Sequence, residues 1–155
     1  MTETIDNIVT DEGGYQSEVY LCTAGKRTWL IGRNIEDRPI TKIEWGQLSQ
    51  MLKDGKTMEE WAYLLFETDI RLCYSDLVNT YRINLTMFSD ELQVVLMNMA
   101  YNMGTSRFNP IKWPKFFKAL NVGNWSNAAD EMENSRWYRQ TKSRAVRLTQ
   151  VVRNI

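Results

Sequence analysis

Residues 11–32 read DEGGYQSEVYLCTAGKRTWLIG and set Glu12, Cys22 and Thr28 in a stretch that alternates like strand and breaks at glycine. Cleavage of a glycosidic bond needs an acid to protonate the leaving oxygen, and a group on the opposite face of the sugar that orients water or stabilises positive charge. Glu12 has the chemistry for the first task. A carboxyl at a helix end that faces a sheet across a cleft is partly desolvated, which raises its pKa and favours the protonated acid. Cys22 and Thr28 suit the second task, since a thiol and a hydroxyl can hold a water, although neither matches a carboxylate in charge unless the cysteine ionises. Each residue also has a plainer reading: Glu12 as a solvated helix-end charge, Cys22 as a small buried hydrophobe and Thr28 as a good strand residue. On chemistry alone the segment points to a cleft enzyme and goes no further.

These groups need elements to hold them. Ile5, Ile8 and Val9 predict a short helix over residues 5–12 that Gly13-Gly14 terminates, so Glu12 stands at its end. Tyr15, Val19, Tyr20, Thr28, Trp29 and Ile31, punctuated by Gly25 and Gly32, predict a small antiparallel hairpin or meander. Thr41-Lys-Ile-Glu44 and Thr57-Met-Glu-Glu60 have capping-box form, and Ser89-Asp-Glu opens a third helical run. Met58, Trp61, Ala62, Leu65 and Leu72 trace an apolar stripe through a helix that extends towards Tyr81. Leu92, Val95, Leu96, Met99, Ala100 and Met103 trace another, with Gly104 as its stop. Shorter helices are expected at 114–121, 125–133 and 142–152. The fold class is therefore α+β and predominantly helical. A small mixed lobe over about 13–60 and a helical lobe of 1–12 plus 80–155 are joined by a helix over about 58–80, with a cleft between them.

The 155 residues suit a single domain that buries roughly two-thirds of its unfolded surface without disulfides or metal. Nineteen basic residues balance nineteen acidic ones, which excludes the global charge of a nucleic-acid coat. The balance is uneven: after Glu133 there is no acid, while Arg136, Arg139, Lys142, Arg144, Arg147 and Arg153 follow. That series is either a solvated helix face or an attractor for an anionic polymer. No aromatic platform or recognition motif accompanies it, so no nucleic-acid partner is expected. With two cysteines, Cys22 and Cys73, and no histidine, free thiols and no metal or other cofactor are expected. The N-terminal MTETIDNIVTDEGG has neither a basic n-region nor a long apolar run, so a soluble cytoplasmic chain without signal peptide or stable membrane association is expected.

The strings DEGG, VYLCTAG, KRT and IGRNIED resemble the catalytic segment of bacteriophage-type lysozymes, glycoside hydrolase family 24. In order behind them, VVLMNMAYNMGTSRF is similar to the family's central helix, and NWSNAADEMENSRWYRQTKSRAVR to its C-terminal signature. The resemblance implies a lysozyme-like fold and a muramidase that cuts the β-1,4 bond between N-acetylmuramic acid and N-acetylglucosamine in peptidoglycan. It places Glu12 at the general acid, Cys22 at the second catalytic position and Thr28 at the third. Arg33 falls where many members have histidine, Tyr101 at an aromatic lining the cleft, and Glu131 where an amide can contact sugar. Arg144 matches an arginine that pairs with the catalytic glutamate, and that pairing would pull the carboxyl pKa down while burial pushes it up. The plainer alternatives are core for Tyr101 and solvated charge for Arg33 and Glu131. The family role further implies a monomer acting on the wall from the periplasm after a holin-type partner has permeabilised the membrane.

Two departures from the family pattern stand out. Nine residues separate Glu12 from Cys22 where eight are usual, so the hairpin must absorb one as a bulge or longer turn. TWLIG replaces T-I-G-x-G, and Leu30, in place of a glycine, is expected to crowd the cleft. Such crowding would leave a peptidoglycan-binding module with weak turnover. A lytic transglycosylase that uses the sugar's own hydroxyl is the other alternative.

Overall fold

Thr41 and Thr57 each close the reciprocal box their sequences announce. The Thr41 hydroxyl accepts from the Glu44 amide at 3.2 Å while the Glu44 carboxylate accepts from the Thr41 amide at 3.1 Å, and Thr57 and Glu60 repeat the exchange at 3.1 and 2.7 Å. Behind these boxes run helices Lys42–Lys53 and Met58–Ser75. The computed structural model describes residues 2–155. Its eight α-helices are α1 (Thr2–Asp11), α2 (Lys42–Lys53), α3 (Met58–Ser75), α4 (Asp90–Met103), α5 (Pro114–Asn121), α6 (Trp125–Glu133), α7 (Arg136–Thr141) and α8 (Ser143–Arg153). Three strands, β1 (Gln16–Leu21), β2 (Arg27–Leu30) and β3 (Arg33–Asn34), form an antiparallel meander. This is the expected α+β, mostly helical class.

The chain divides into two units, Met1–Arg71 and Leu72–Ile155. In the first, the sheet and α2 and α3 meet through three indoles. Trp29 of β2 lies 5.9 Å from Trp45 of α2 and 6.2 Å from Trp61 of α3, and Trp45 stacks on Trp61 at 5.8 Å between ring centres. In the second, Phe108, Trp113, Phe116 and Phe117 form a cluster of edge-on and tilted rings, and α4 carries a buried apolar stripe. That stripe buries Leu92, Val95, Leu96, Met99 and Ala100, and Gly104 ends the helix at φ 81°.

Some expectations need correction. Leu72 is 46% exposed, so the α3 stripe stops at Ile70. The helical run past Ser75 continues only as a π-helical turn over Asp76–Thr80, where the Tyr81 amide reaches back to the Asp76 carbonyl at 3.0 Å. The helix expected at 142–152 is α8, within one residue at each end; the element not expected is α7, which Lys142, at φ 54° and ψ −118°, separates from α8. That conformation is one that glycine holds easily and lysine does not.

Candidate active site

α1 ends where the two glycines require it. Gly13 and Gly14 take φ of 78° and 74°, and the Gly14 amide donates to the Val9 carbonyl at 2.9 Å, a wrapped helix stop that a side chain at either position would resist. Glu12 follows the last helical residue, half-buried. Its carboxyl lies against the bare Cα of Gly32: a Cβ added there would overlap Glu12 Oε2 and stand 2.6 Å from its Cγ. Gly32 also has φ 69°. Two independent reasons, space for Glu12 and a left-handed backbone, therefore demand glycine at this position. The signal in the sequence is the last glycine of TWLIG, which strand patterning alone explains as punctuation between strands.

Cys22 and Thr28 converge on one atom. The carbonyl of Lys26 accepts the Cys22 amide at 3.0 Å and the Thr28 hydroxyl at 3.0 Å. The β1–β2 connection makes this possible: the Gly25 amide donates to the Cys22 carbonyl at 2.8 Å and Gly25 takes φ 74°. Thr28 is 2% exposed and pairs across the sheet with Tyr20 and Asn34, whereas Cys22 is half-buried and forms no disulfide. Because the Thr28 proton is given to Lys26, its oxygen keeps lone pairs for another donor. The expected irregularity lies in β1: Gln16 faces Leu30 and Tyr20 faces Thr28, four steps against two, so the strand absorbs two residues there, one more than the spacing predicts.

Leu30 overturns the crowding expectation. Its backbone sits at φ 59°, the left-handed region where a glycine would be unstrained, and its side chain is 1% exposed. The leucine is thus an interior packing residue on a strained turn.

Arg33 is neither a solvated charge nor an open sugar contact. It is 4% exposed, and its guanidinium forks onto Glu44 at 2.7 and 2.9 Å and onto Asp69 at 3.2 Å. Arg38 adds a 2.6 Å ion pair to Asp69. Hydrogen bonds from Arg33 hold the Glu44 carboxyl below its ordinary range, while burial pushes Asp69 up to about 6 against the pull of both arginines. Asp69 carries no signal along the chain, since nothing in a helical repeat says which acid will be buried.

The remaining site residues belong to the second unit. Tyr101 on α4 and Glu131 on α6 are half-buried. Arg144 opens α8, is 9% exposed and donates from Nε to Asn98 Oδ1 on α4 at 2.8 Å; Asn98 is itself fully buried. The basic series is not uniform: Arg136, Arg139, Lys142 and Arg147 are exposed, but Arg144 is buried and Arg153 is engaged by Asp130 at 2.9 Å and Glu133 at 2.8 Å. Among the described residues no cluster of acids or cysteines could hold a metal ion.

The model of the phage lysozyme family matches residues 10–153, a span that includes the glutamate, the hairpin and both arginines. The chain belongs to the phage lysozyme family. At family level this places it among lysozymes, glycosidases that lyse peptidoglycan. It is 26% identical to probable T4-type lysozyme 2 of Dictyostelium discoideum, over 97% of this chain and 94% of that protein. Probable T4-type lysozyme 1 of the same organism is also 26% identical, over 98% of this chain and 95% of the relative. The pre-baseplate central spike protein Gp5 of Enterobacteria phage T4 is 30% identical over 90% of this chain, which spans only 26% of Gp5. No helix among the described residues is long and apolar enough to cross a membrane.

Proposed function

We propose that this lysozyme-family chain is a muramidase hydrolysing the β-1,4 bond between N-acetylmuramic acid and N-acetylglucosamine. The observation that carries the reading is the Glu12 carboxyl fitted against bare Gly32, in the same unit as a hairpin whose Lys26 carbonyl accepts the Thr28 hydroxyl and the Cys22 backbone amide. Glu12 gives its proton to the leaving glycosidic oxygen. A water that donates to the lone pairs of Thr28 Oγ1 has its own lone pair available for the anomeric carbon, and the proton it sheds on attack passes to solvent, from which the Glu12 carboxylate recovers the proton it gave to the leaving oxygen. Cys22, beside Thr28 at the turn, is the second group that holds or activates that water. For Tyr101, Glu131 and Arg144, in the second unit, the sugar-contacting and supporting roles that the family resemblance implies are kept as proposals. Arg33 is left out of substrate contact because its guanidinium is buried among carboxylates. The interior position of Leu30 favours this reading over the binding-only alternative, which rested on a leucine crowding the substrate. The substrate partner is peptidoglycan, the proposed setting is the wall of an infected bacterium reached through a holin-type lesion, and the protein acts as a monomer.

The deciding experiment is Glu12→Gln assayed on purified peptidoglycan. The amide has nearly the same shape and cannot donate the acid proton, so a loss of about 100- to 10,000-fold is expected. Near-normal turnover by a folded variant would remove Glu12 from the mechanism. Analysis of product ends separates hydrolysis, which leaves a reducing sugar, from a transglycosylase, which leaves an internal ether.

A further inference from the structure

The turn Leu30-Ile31-Gly32 between β2 and β3 is held on several sides. Leu30 and Ile31 are each 1% exposed, Leu30 and Gly32 both hold positive φ, and β3 beyond it is two residues long. So short a strand supplies few ladder bonds, and its attachment falls to side chains. Trp29 and Arg33 are cross-strand partners at the two ends of the turn. Consecutive residues of α2 grip them: Trp45 packs on Trp29 at 5.9 Å, and Glu44 takes the Arg33 guanidinium at 2.7 and 2.9 Å. The same two residues of the sheet reach α3, through Trp61 at 6.2 Å and Asp69 at 3.2 Å. The residue next to Arg33 is Gly32, whose Cα is the surface against which the Glu12 carboxyl rests.

From this chain of contacts we propose that Arg33, clamped by Glu44, is a positioning residue for Glu12: it sets the place of Gly32 and with it the place of the acid. Glu44 fixes orientation as well as charge, because its two parallel N–H···O bonds, at 2.7 and 2.9 Å, are the shorter of the two forks that set the plane of the guanidinium, and the Asp69 contacts at 3.2 Å hold it less closely. A displacement of about 1 Å in an acid can cost roughly 100-fold in turnover without altering how tightly the ground state is held. The inference rests on the reading of Glu12 as general acid.

Glu44→Gln is the cleanest variant. Glutamine still serves the capping box with Thr41, so α2 keeps its start, but the charged two-point grip on Arg33 is lost. Arg33→Lys keeps the charge and loses the fork. Both are measured on a soluble peptidoglycan oligosaccharide, well below the melting temperature, with circular dichroism confirming that they are folded. The expected result is a fall in kcat of about 10- to 100-fold with KM within about two-fold of the parent. A merely structural network predicts unchanged kcat in the folded fraction, and normal kcat in folded Glu44→Gln overturns the proposal, whatever Arg33→Lys does. Glu12→Gln in the same assay separates the two levels of failure. If it is inactive while Glu44→Gln is normal, only the positioning role is lost; if Glu12→Gln is active, the reading of the acid itself fails.

Discussion

At the scale of single residues, Gly32 and Leu30 are adjacent tests of the same physics with opposite outcomes. Gly32→Ala inserts a methyl where the Glu12 carboxyl already lies and imposes a side chain at φ 69°. Activity is expected to fall at least 100-fold and stability by about 1–3 kcal/mol, read by turnover on peptidoglycan and by urea unfolding. At Leu30 the left-handed backbone costs about 1–2 kcal/mol, but emptying the site of a buried leucine costs about 3–5 kcal/mol, so burial wins and Leu30→Gly is destabilising. Leu30→Ala is expected to be worse still, because it empties the same space without relieving the backbone. That order, glycine better than alanine, reverses the usual one, and denaturant midpoints of the two variants check it. Cys22 is tested by chemistry. If it holds or activates water, Cys22→Asp retains substantial activity and Cys22→Ala does not. A thiol-alkylating reagent then inactivates the parent and spares Cys22→Asp. Substitution of Cys73, the other cysteine outside any disulfide, leaves that inactivation unchanged.

At the scale of elements, two junctions carry distinct predictions. Lys142 between α7 and α8 holds a backbone that glycine adopts without strain. Lys142→Gly is expected to add about 1 kcal/mol, a rise of roughly 2–4 °C in a chain of this size by calorimetry. The Arg33–Glu44–Asp69–Arg38 network joins β3, α2 and α3 and makes stability depend on pH. Because burial raises Asp69 from 3.8 to about 6, the folded state holds its proton more tightly than the unfolded chain does. That contribution is full below the unfolded value and is lost as pH rises through about 6, a difference of order 3 kcal/mol. Glu44, held below its ordinary 4.5, acts oppositely and loses its contribution at lower pH still. Stability of the parent relative to Asp69→Asn is therefore expected to increase as pH falls from 7 towards 4. A flat difference in melting temperature over that range would contradict the assignment.

Across the whole molecule the neutral net charge conceals a division. Residues 1–71 hold eight Lys/Arg against thirteen Asp/Glu, and residues 72–155 hold eleven against six. Exposed Arg136, Arg139, Lys142 and Arg147 belong to the cationic unit. If they attract the anionic wall, adsorption to intact wall falls with added salt while cleavage of a small neutral oligosaccharide changes little. Arg136→Glu with Arg139→Glu should reproduce the high-salt behaviour at low salt. Equal salt dependence on both substrates would return these residues to a solvated face.

What could be read along the chain was whatever neighbours in sequence decide. Capping boxes at Thr41 and Thr57, glycine stops after Asp11 and Met103, and the α4 stripe are local events, governed by backbone groups within about one helical turn. The family assignment was legible for the same reason: its motifs are short strings in a fixed order, and the match to residues 10–153 bears it out. Tertiary structure alone decided the rest. Whether Arg33 is a surface charge or an interior clamp depends on Asp69, thirty-six residues away, and on the desolvation that their packing imposes. Whether Leu30 projects or packs depends on a backbone angle that no propensity assigns to leucine. Why position 32 must be glycine depends on a carboxyl twenty residues earlier that the fold brings against its Cα. Burial, charge pairing at a distance and close backbone approach are properties of three-dimensional proximity, and the order of residues records them only where a family has already repeated them.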